Sequence, residues 1–170
     1  MSTGSHESDY EAVPDGQSLS VSDEDTIGLI FPILPHHVKR FFEDKKSVFV
    51  KFTGRGLSAR KLQSASRLFF YESGRCKEIV GEARIVEKTT GTADEVLAKY
   101  GNDLFLTPRE LEVYTANRRT QGMLTLVLRD AKRYEIPLRL HKGLTMAGQY
   151  MTGAMYRKLK EVLRVKEQQA

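Results

Sequence analysis

The chain has 170 residues and a mass of 19.3 kDa, with 40% hydrophobic and 29% charged residues, enough for one modest core and too little for two complete domains. Its formal charge of +5 conceals a split: residues 1–25 carry seven acids and no Lys or Arg, leaving 27 bases against 15 acids in residues 26–170, a net +12. The single cysteine, Cys76, excludes an intrachain disulfide and a Cys-based zinc cluster, and no apolar run approaches the roughly 20 residues that span a bilayer. A cytoplasmic protein without membrane partners is expected, since the acidic, Ser-rich start also lacks the basic and apolar regions of a secretory signal.

Residues 1–25 have few large apolar side chains to offset the entropy of ordering, so they are expected as a disordered acidic tail, with residues 26–170 forming one domain. Thr26 to Phe31 has the pattern of a short strand. Pro35 to Glu43 predicts a helix, because Pro35 suits a first turn and Val38, Phe41 and Phe42 fall on one face. Ser47 to Thr53 alternates with period two and predicts a strand. Arg67 to Tyr71 and Cys76 to Glu87 read as a hairpin turning through Glu72-Ser73-Gly74-Arg75, and Gly81 inside the second strand suggests a bulge or a close backbone approach. Helices are expected over Thr92 to Tyr100 and Thr107 to Asn117. The second opens on Thr107-Pro108-Arg109-Glu110, where the hydroxyl and carboxylate can satisfy free amides reciprocally. Two further strands, Met123 to Arg129 and Tyr134 to Leu140, follow, and Pro137 argues that the latter lies at an edge or a bulge. A final helix over Thr152 to Lys166 aligns Met155, Leu159, Val162 and Leu163. Six strands with short helices and no regular strand–helix alternation fit an α+β domain built on a small mixed or antiparallel barrel, and disfavour a doubly wound nucleotide fold.

Three segments carry polar chemistry. The first, Tyr71 to Ala83, contains Ser73, Arg75, Lys77 and Glu78 around a turn; Lys77 can bind phosphate and Glu78 a base edge, while the pattern alone favours a solvated hairpin with a surface ion pair. The second, Gly143 to Met151, offers Thr145, Gln149 and Tyr150, with a phenol ring for stacking and an amide for a base edge; its alternative is a packed strand-to-helix connection. The third is a basic group, Arg118, Arg119, Arg129, Lys132, Arg133, Arg139 and Lys142, with Tyr134 among them, suited to phosphate attraction. Met151, Met155 and Leu163 leave open a third class of function, a protein-interaction adaptor. Gly54-Arg55-Gly56 lacks the rest of a phosphate loop, and neither a Gly-x-Ser-x-Gly elbow nor a His-Glu-x-x-His pair is present. His36 and His37 are adjacent, and on a helix that spacing points their rings apart, so they are assigned to helix surface or packing. Neither a metal nor a cofactor is expected.

Phe49-Val50-Lys51-Phe52, Leu68 to Gly74, Lys77 to Ala83, Lys99-Tyr100-Gly101 through Leu104 to Thr107, and Thr145 to Tyr150 together resemble an archaeal family of uncharacterised function over roughly residues 26–156. Its members look similar to the PUA-like superfold that includes PUA, ASCH and EVE domains. The resemblance implies a small mixed β pseudo-barrel with short flanking helices and a C-terminal helix, and a pocket at the barrel mouth that binds RNA or a modified nucleotide. On that reading Lys51, Arg75 and Lys77 attract phosphate, Tyr71 and Tyr150 stack, and Glu78 and Gln149 recognise base edges, with tRNA or rRNA as the polymeric partner. Some ASCH relatives resemble amidohydrolases that use Lys, Glu and Thr, and Lys51 or Lys77, Glu78 and Thr145 are the candidates for such a role.

The charge split generates a first expectation. Deleting residues 1–25 strengthens nonspecific RNA binding at low salt, because the acidic segment competes with phosphate for the +12 body. Fluorescence anisotropy of a labelled RNA with the full and shortened chains checks it, and equal affinities would leave the tail a passive extension.

Overall fold

The computed structural model describes residues 25–53, 58–140 and 144–169. The expected acidic tail, except Asp25, lies outside the described residues, as do Gly54-Arg55-Gly56, Lys142 and Gly143. In chain order the elements are β1 (Thr26–Ile33), α1 (Pro35–Phe42), β2 (Val48–Lys51), α2 (Ala59–Ser64), β3 (Arg67–Glu72), β4 (Glu78–Gly91), α3 (Ala93–Tyr100), a 3-10 turn (Gly101–Asp103), α4 (Pro108–Thr115), β5 (Met123–Arg139), β6 (Gln149–Thr152) and α5 (Gly153–Gln169). The strands form one six-stranded mixed sheet in the order β2-β5-β4-β3-β1-β6. Only β1 and β3 run parallel, with Leu29 opposite Leu68 and Phe31 opposite Phe70. A parallel pair needs a crossover connection, and here it carries α1, β2 and α2.

The sheet is strongly curled, and two rings demonstrate it. β1 and β2 are four strand positions apart in the sheet, about 19 Å if it were flat at ~4.8 Å per strand. Yet the Phe31 and Phe49 rings, one on each of these strands, stack with centroids 5.6 Å apart. Bringing them together rolls the sheet into a pseudo-barrel whose edge strands, β2 and β6, are not paired with each other. The interior is filled by Leu29, Phe31, Phe49, Leu68, Phe70, Leu126 and their neighbours. A second cluster, on the opposite side of the sheet, packs Ile30, Phe69, Tyr71, Ile79, Tyr134 and Met151 beneath Leu159 of α5. Alternate residues of β1 and β3 feed the two clusters, as side-chain alternation along a strand requires.

The α+β pseudo-barrel with a C-terminal helix therefore matches the expected architecture, and the expected strand count is met by different strands. Met123 to Leu140 forms one continuous β5 instead of two strands. It pairs with β4 from Met123 to Arg139 and absorbs its curvature in three register shifts. One shift spans the pairs Ile79–Leu138 and Gly81–Arg133, so Pro137 sits in an irregular stretch where a missing N–H is tolerated. Gly81 marks the same place: a Cβ there would lie 2.4 Å from the Lys132 carbonyl oxygen and 2.7 Å from the Phe42 ring. The sixth strand is β6, pairing antiparallel with β1 through Leu29–Tyr150 and Ile30–Gln149. With Met151 buried and Met155 and Leu163 packed on the second cluster, the first turns of α5 spend their apolar face on the core.

Candidate functional site at the unpaired seam

A cavity of about 720 Å³ opens where β1 and β2 face each other without pairing. Its walls come from the end of β1 and the start of α1 (Ile33, Leu34, His36, His37), from β2 (Phe49, Val50, Lys51), from Phe105 to Thr107, and from α4 (Arg109, Glu110, Val113, Tyr114). Met146 closes one side. Val113 and Met146 are 70% and 74% exposed although both are large and apolar, so the rim offers uncovered hydrophobic surface to an occupant. The volume falls within the range of small-molecule sites.

The two helices that frame the cavity are fixed by one carboxylate. Thr107 and Glu110 form the reciprocal cap that the sequence predicts: the Thr107 hydroxyl accepts from the Glu110 amide at 3.2 Å, and Glu110 Oε2 accepts from the Thr107 amide at 2.8 Å. The same carboxylate accepts from Arg40 of α1 through both guanidinium nitrogens, Nη1 to Oε2 at 2.5 Å and Nη2 to Oε1 at 3.0 Å. Arg40 Nη1 also donates to the Phe105 carbonyl at 2.8 Å. Arg40 holds the Glu110 carboxyl well below the usual carboxylate range, so it is an anion throughout the physiological range. A bidentate Arg–carboxylate pair between α1 and α4 fixes orientation as well as distance.

Lys51 is a polar group of the wall with no such partner. It is half-buried at the end of β2, its ammonium lies 5.4 Å from the Phe31 ring centroid, and it forms no ion pair among the described residues. Burial pushes its pKa down from the ordinary lysine value. His37 is likewise pushed down, chiefly by burial and then by His36, with Glu110 pulling the other way. Its ring packs edge-on to Phe105 at 5.4 Å. Arg109 lines the same space, and the only carboxylate of the wall among the described residues is already paired with Arg40. The cavity is thus apolar with a surplus of donors, a setting for a ligand that has a flat apolar body and acceptor or anionic groups.

The candidate residues distribute unevenly around this cavity. Lys51 lines it. Tyr150 lies on the same face of the sheet, packed on the interior core with the Lys61 ammonium 5.2 Å from its ring. Gln149 is exposed and turns to Met155, its Nε2 3.8 Å from the sulfur, and Thr145 is exposed in the turn before it. Tyr71 is buried in the second cluster, on the opposite face. Ser73, Arg75 and Lys77 occupy the β3–β4 turn, and Glu78 opens β4 opposite Glu72; none of the four lines the cavity. In the basic group, Arg118 stacks on Phe52 at 3.9 Å and Arg119 pairs with Asp94 at 3.7 Å, both before β5. Arg129, Lys132 and Arg133 lie exposed around the middle of β5, with Arg133 stacked over Phe42 at 4.7 Å.

Sequence reasoning did not anticipate His36, His37, Arg109, Glu110, Val113 or Tyr114 as wall residues. The ring-divergence argument for the histidines fails, because their centroids are 4.1 Å apart with a 55° interplanar angle. The capping motif at Thr107 was visible; its second role toward Arg40, 70 residues away, is a tertiary fact.

A curled mixed sheet with a cavity at its mouth and a C-terminal helix defines an ASCH/PUA-like α+β fold. Crystal structures of the ASCH protein from Zymomonas mobilis are similar to it. A Ser-to-Ala variant aligns with TM-score 0.67 at 20% identity, covering 82% of this chain and 98% of that one. Another structure of that protein aligns with TM-score 0.63 at 19% identity, covering 79% and 94%. The chain itself belongs to the family described as Domain of unknown function (DUF365), whose model matches residues 26–153. No curated protein sequence gives a significant match.

The small-residue segment before β6 shapes this site through Gly148. Its φ is +78°, and a Cβ there would stand 2.4 Å from Phe31 Cδ1 and 2.6 Å from the Ile30 carbonyl oxygen. Gly148→Ala is expected to destabilise the fold by roughly 2–4 kcal/mol through strain and collision with the seam ring. Urea unfolding measures it, and a change within about 0.5 kcal/mol would mean that the segment relaxes freely.

Proposed function

We propose that the protein is a noncatalytic RNA-binding domain, with tRNA or rRNA as the polymeric partner, that receives one nucleotide, modified or not, in the seam cavity. The observation that carries this reading is the combination of aromatic walls with a half-buried, carboxylate-free lysine. Tyr114, only partly buried, offers ring surface to a base, and Lys51 offers donors only, which suit a phosphate or a carbonyl-bearing base edge. Arg129, Lys132 and Arg133 supply the electrostatic attraction for flanking phosphates. The ASCH/PUA-like fold agrees with this use of the barrel mouth. Under this reading the turn residues Ser73, Arg75, Lys77 and Glu78 are backbone-contacting at most, and the protein works in the cytoplasm.

A second reading has one specific observation in its favour. The lowered pKa of Lys51 enlarges the fraction of free amine, the form a base or nucleophile needs, so a small amidohydrolase or acyl-transfer activity on a modified nucleoside is the competing function.

Binding of a short single-stranded RNA, followed by anisotropy from about 50 to about 400 mM salt, is expected to weaken steeply with salt. Lys51→Met preserves side-chain length and removes the donor, and should weaken binding roughly tenfold at fixed salt. Absence of binding at low salt, or an unaffected Lys51→Met variant, would count against the cavity. A mass change in a modified nucleoside incubated with the protein would favour the enzyme reading.

A further inference from the structure

The polar corner of the cavity has an unspent donor set that the nucleotide reading does not use. His37 Nε2 is buried and has no hydrogen-bond partner among the described residues, although Glu110 Oε1 stands 3.5 Å away. That separation is at the outer limit for a hydrogen bond. It is close to the spacing of two ligands on one ion: tetrahedral bonds of about 2.0–2.1 Å place neighbouring donor atoms about 3.4 Å apart. His36, exposed and free to adjust its rotamer, brings a third donor, and one ligand atom from each of His36, His37 and Glu110 lies within 4.8 Å of the others. We propose that His36, His37 and Glu110 form a binding site for a single divalent transition-metal ion at the cavity mouth.

Two imidazoles and one carboxylate select the ion's class. The set suits borderline ions such as Zn²⁺ and disfavours Mg²⁺ and Ca²⁺, which take oxygen ligands. Glu110 is held for the task as ligating carboxylates generally are. Arg40 and the Thr107 amide engage Oε2, and Arg40 Nη2 takes one lone pair of Oε1, leaving its second lone pair available toward His37. All three donors line the cavity, so the remaining coordination positions face its interior, where water or an acceptor group of the occupant completes the shell. The nearby Arg40 charge opposes the cation, which sets the expected affinity at moderate strength, in the micromolar range. The site stands independently of whether the occupant is a nucleotide.

Isothermal titration of the untagged full chain with Zn²⁺ tests the assignment. One equivalent is expected to bind, with Mg²⁺ giving no heat at the same concentrations. His36→Ala should weaken Zn²⁺ by roughly tenfold or more, and His37→Gln should abolish it. His36→Ala is not expected to change the circular dichroism spectrum, since His36 is exposed and contributes no hydrogen bond to the fold among the described residues. His6→Ala and His141→Ala control for the other two histidines and should leave the titration unchanged. Co²⁺ bound to the full chain should give visible absorption that disappears in His36→Ala. No saturable Zn²⁺ binding up to about 1 mM, unchanged affinity in both His36→Ala and His37→Gln, or a loss that follows His6 or His141 instead would each overturn the site; saturable binding weakened in His36→Ala, abolished in His37→Gln and unchanged in His6→Ala and His141→Ala supports it.

Discussion

The contact between Phe31 and Phe49 is the constraint on which the rest of the molecule depends. Two strands separated by three others in the sheet meet through their side chains, and meeting them requires the long β4–β5 ribbon to curl through its three register shifts. Bulges increase local twist, and a 17-residue strand that pairs with one neighbour along most of its length can bend where a doubly paired strand would not. Once the sheet is rolled, β2 and the end of β1 approach without hydrogen bonding. The gap left between them is the cavity.

What closes the gap is a small number of residues with more than one task. Glu110 caps its own helix, anchors Arg40 of α1, and faces His37. Phe105 packs against Phe41, Phe49 and His37 while its carbonyl accepts from Arg40. These contacts tie α1 and α4 to β2, so that Lys51 is left half-buried in a space with apolar walls. The consequence for function is a site rich in donors whose one acid is already satisfied. That composition favours an organic occupant bringing its own acceptors, and it is the physical reason for preferring a nucleotide over a purely apolar one.

Local pattern carried the elements well where the signal was local. The Thr107-x-x-Glu110 cap, the Pro35 helix start, the hairpin turn after β3 and the bulge at Gly81 all follow from nearest-neighbour stereochemistry, and the structure has them. Polar residues at Asp130 to Arg133 interrupted the apolar pattern and suggested a chain break, whereas β5 runs through because that stretch is exposed on the ribbon's outside. β6 was hidden because a four-residue strand has too few alternations to register, and it exists through pairing with β1. The site was legible only at Lys51 and, more loosely, in the segment around Gly148. Cavity walls drawn from β1, α1, β2 and α4 are assembled by the curl, and spacing along the chain contains no trace of that. Tyr71 illustrates the same limit: alternation assigns it a face, but only the sheet order says that this face belongs to the second cluster.

The central claim is that the unpaired seam, and not the β3–β4 turn or the α5 side of the sheet, is where the ligand sits. Methyl NMR reads this directly, because the two sides carry separate reporters. Leu34, Val50, Leu106, Val113 and Met146 line the cavity, whereas Ile79, Leu138, Met151 and Leu159 belong to the second cluster. Titrating a methyl-labelled chain with a short single-stranded RNA should shift the first set in a saturable, salt-sensitive manner and leave the second set near its free positions. Shifts concentrated on the second set, or on neither, would contradict the account.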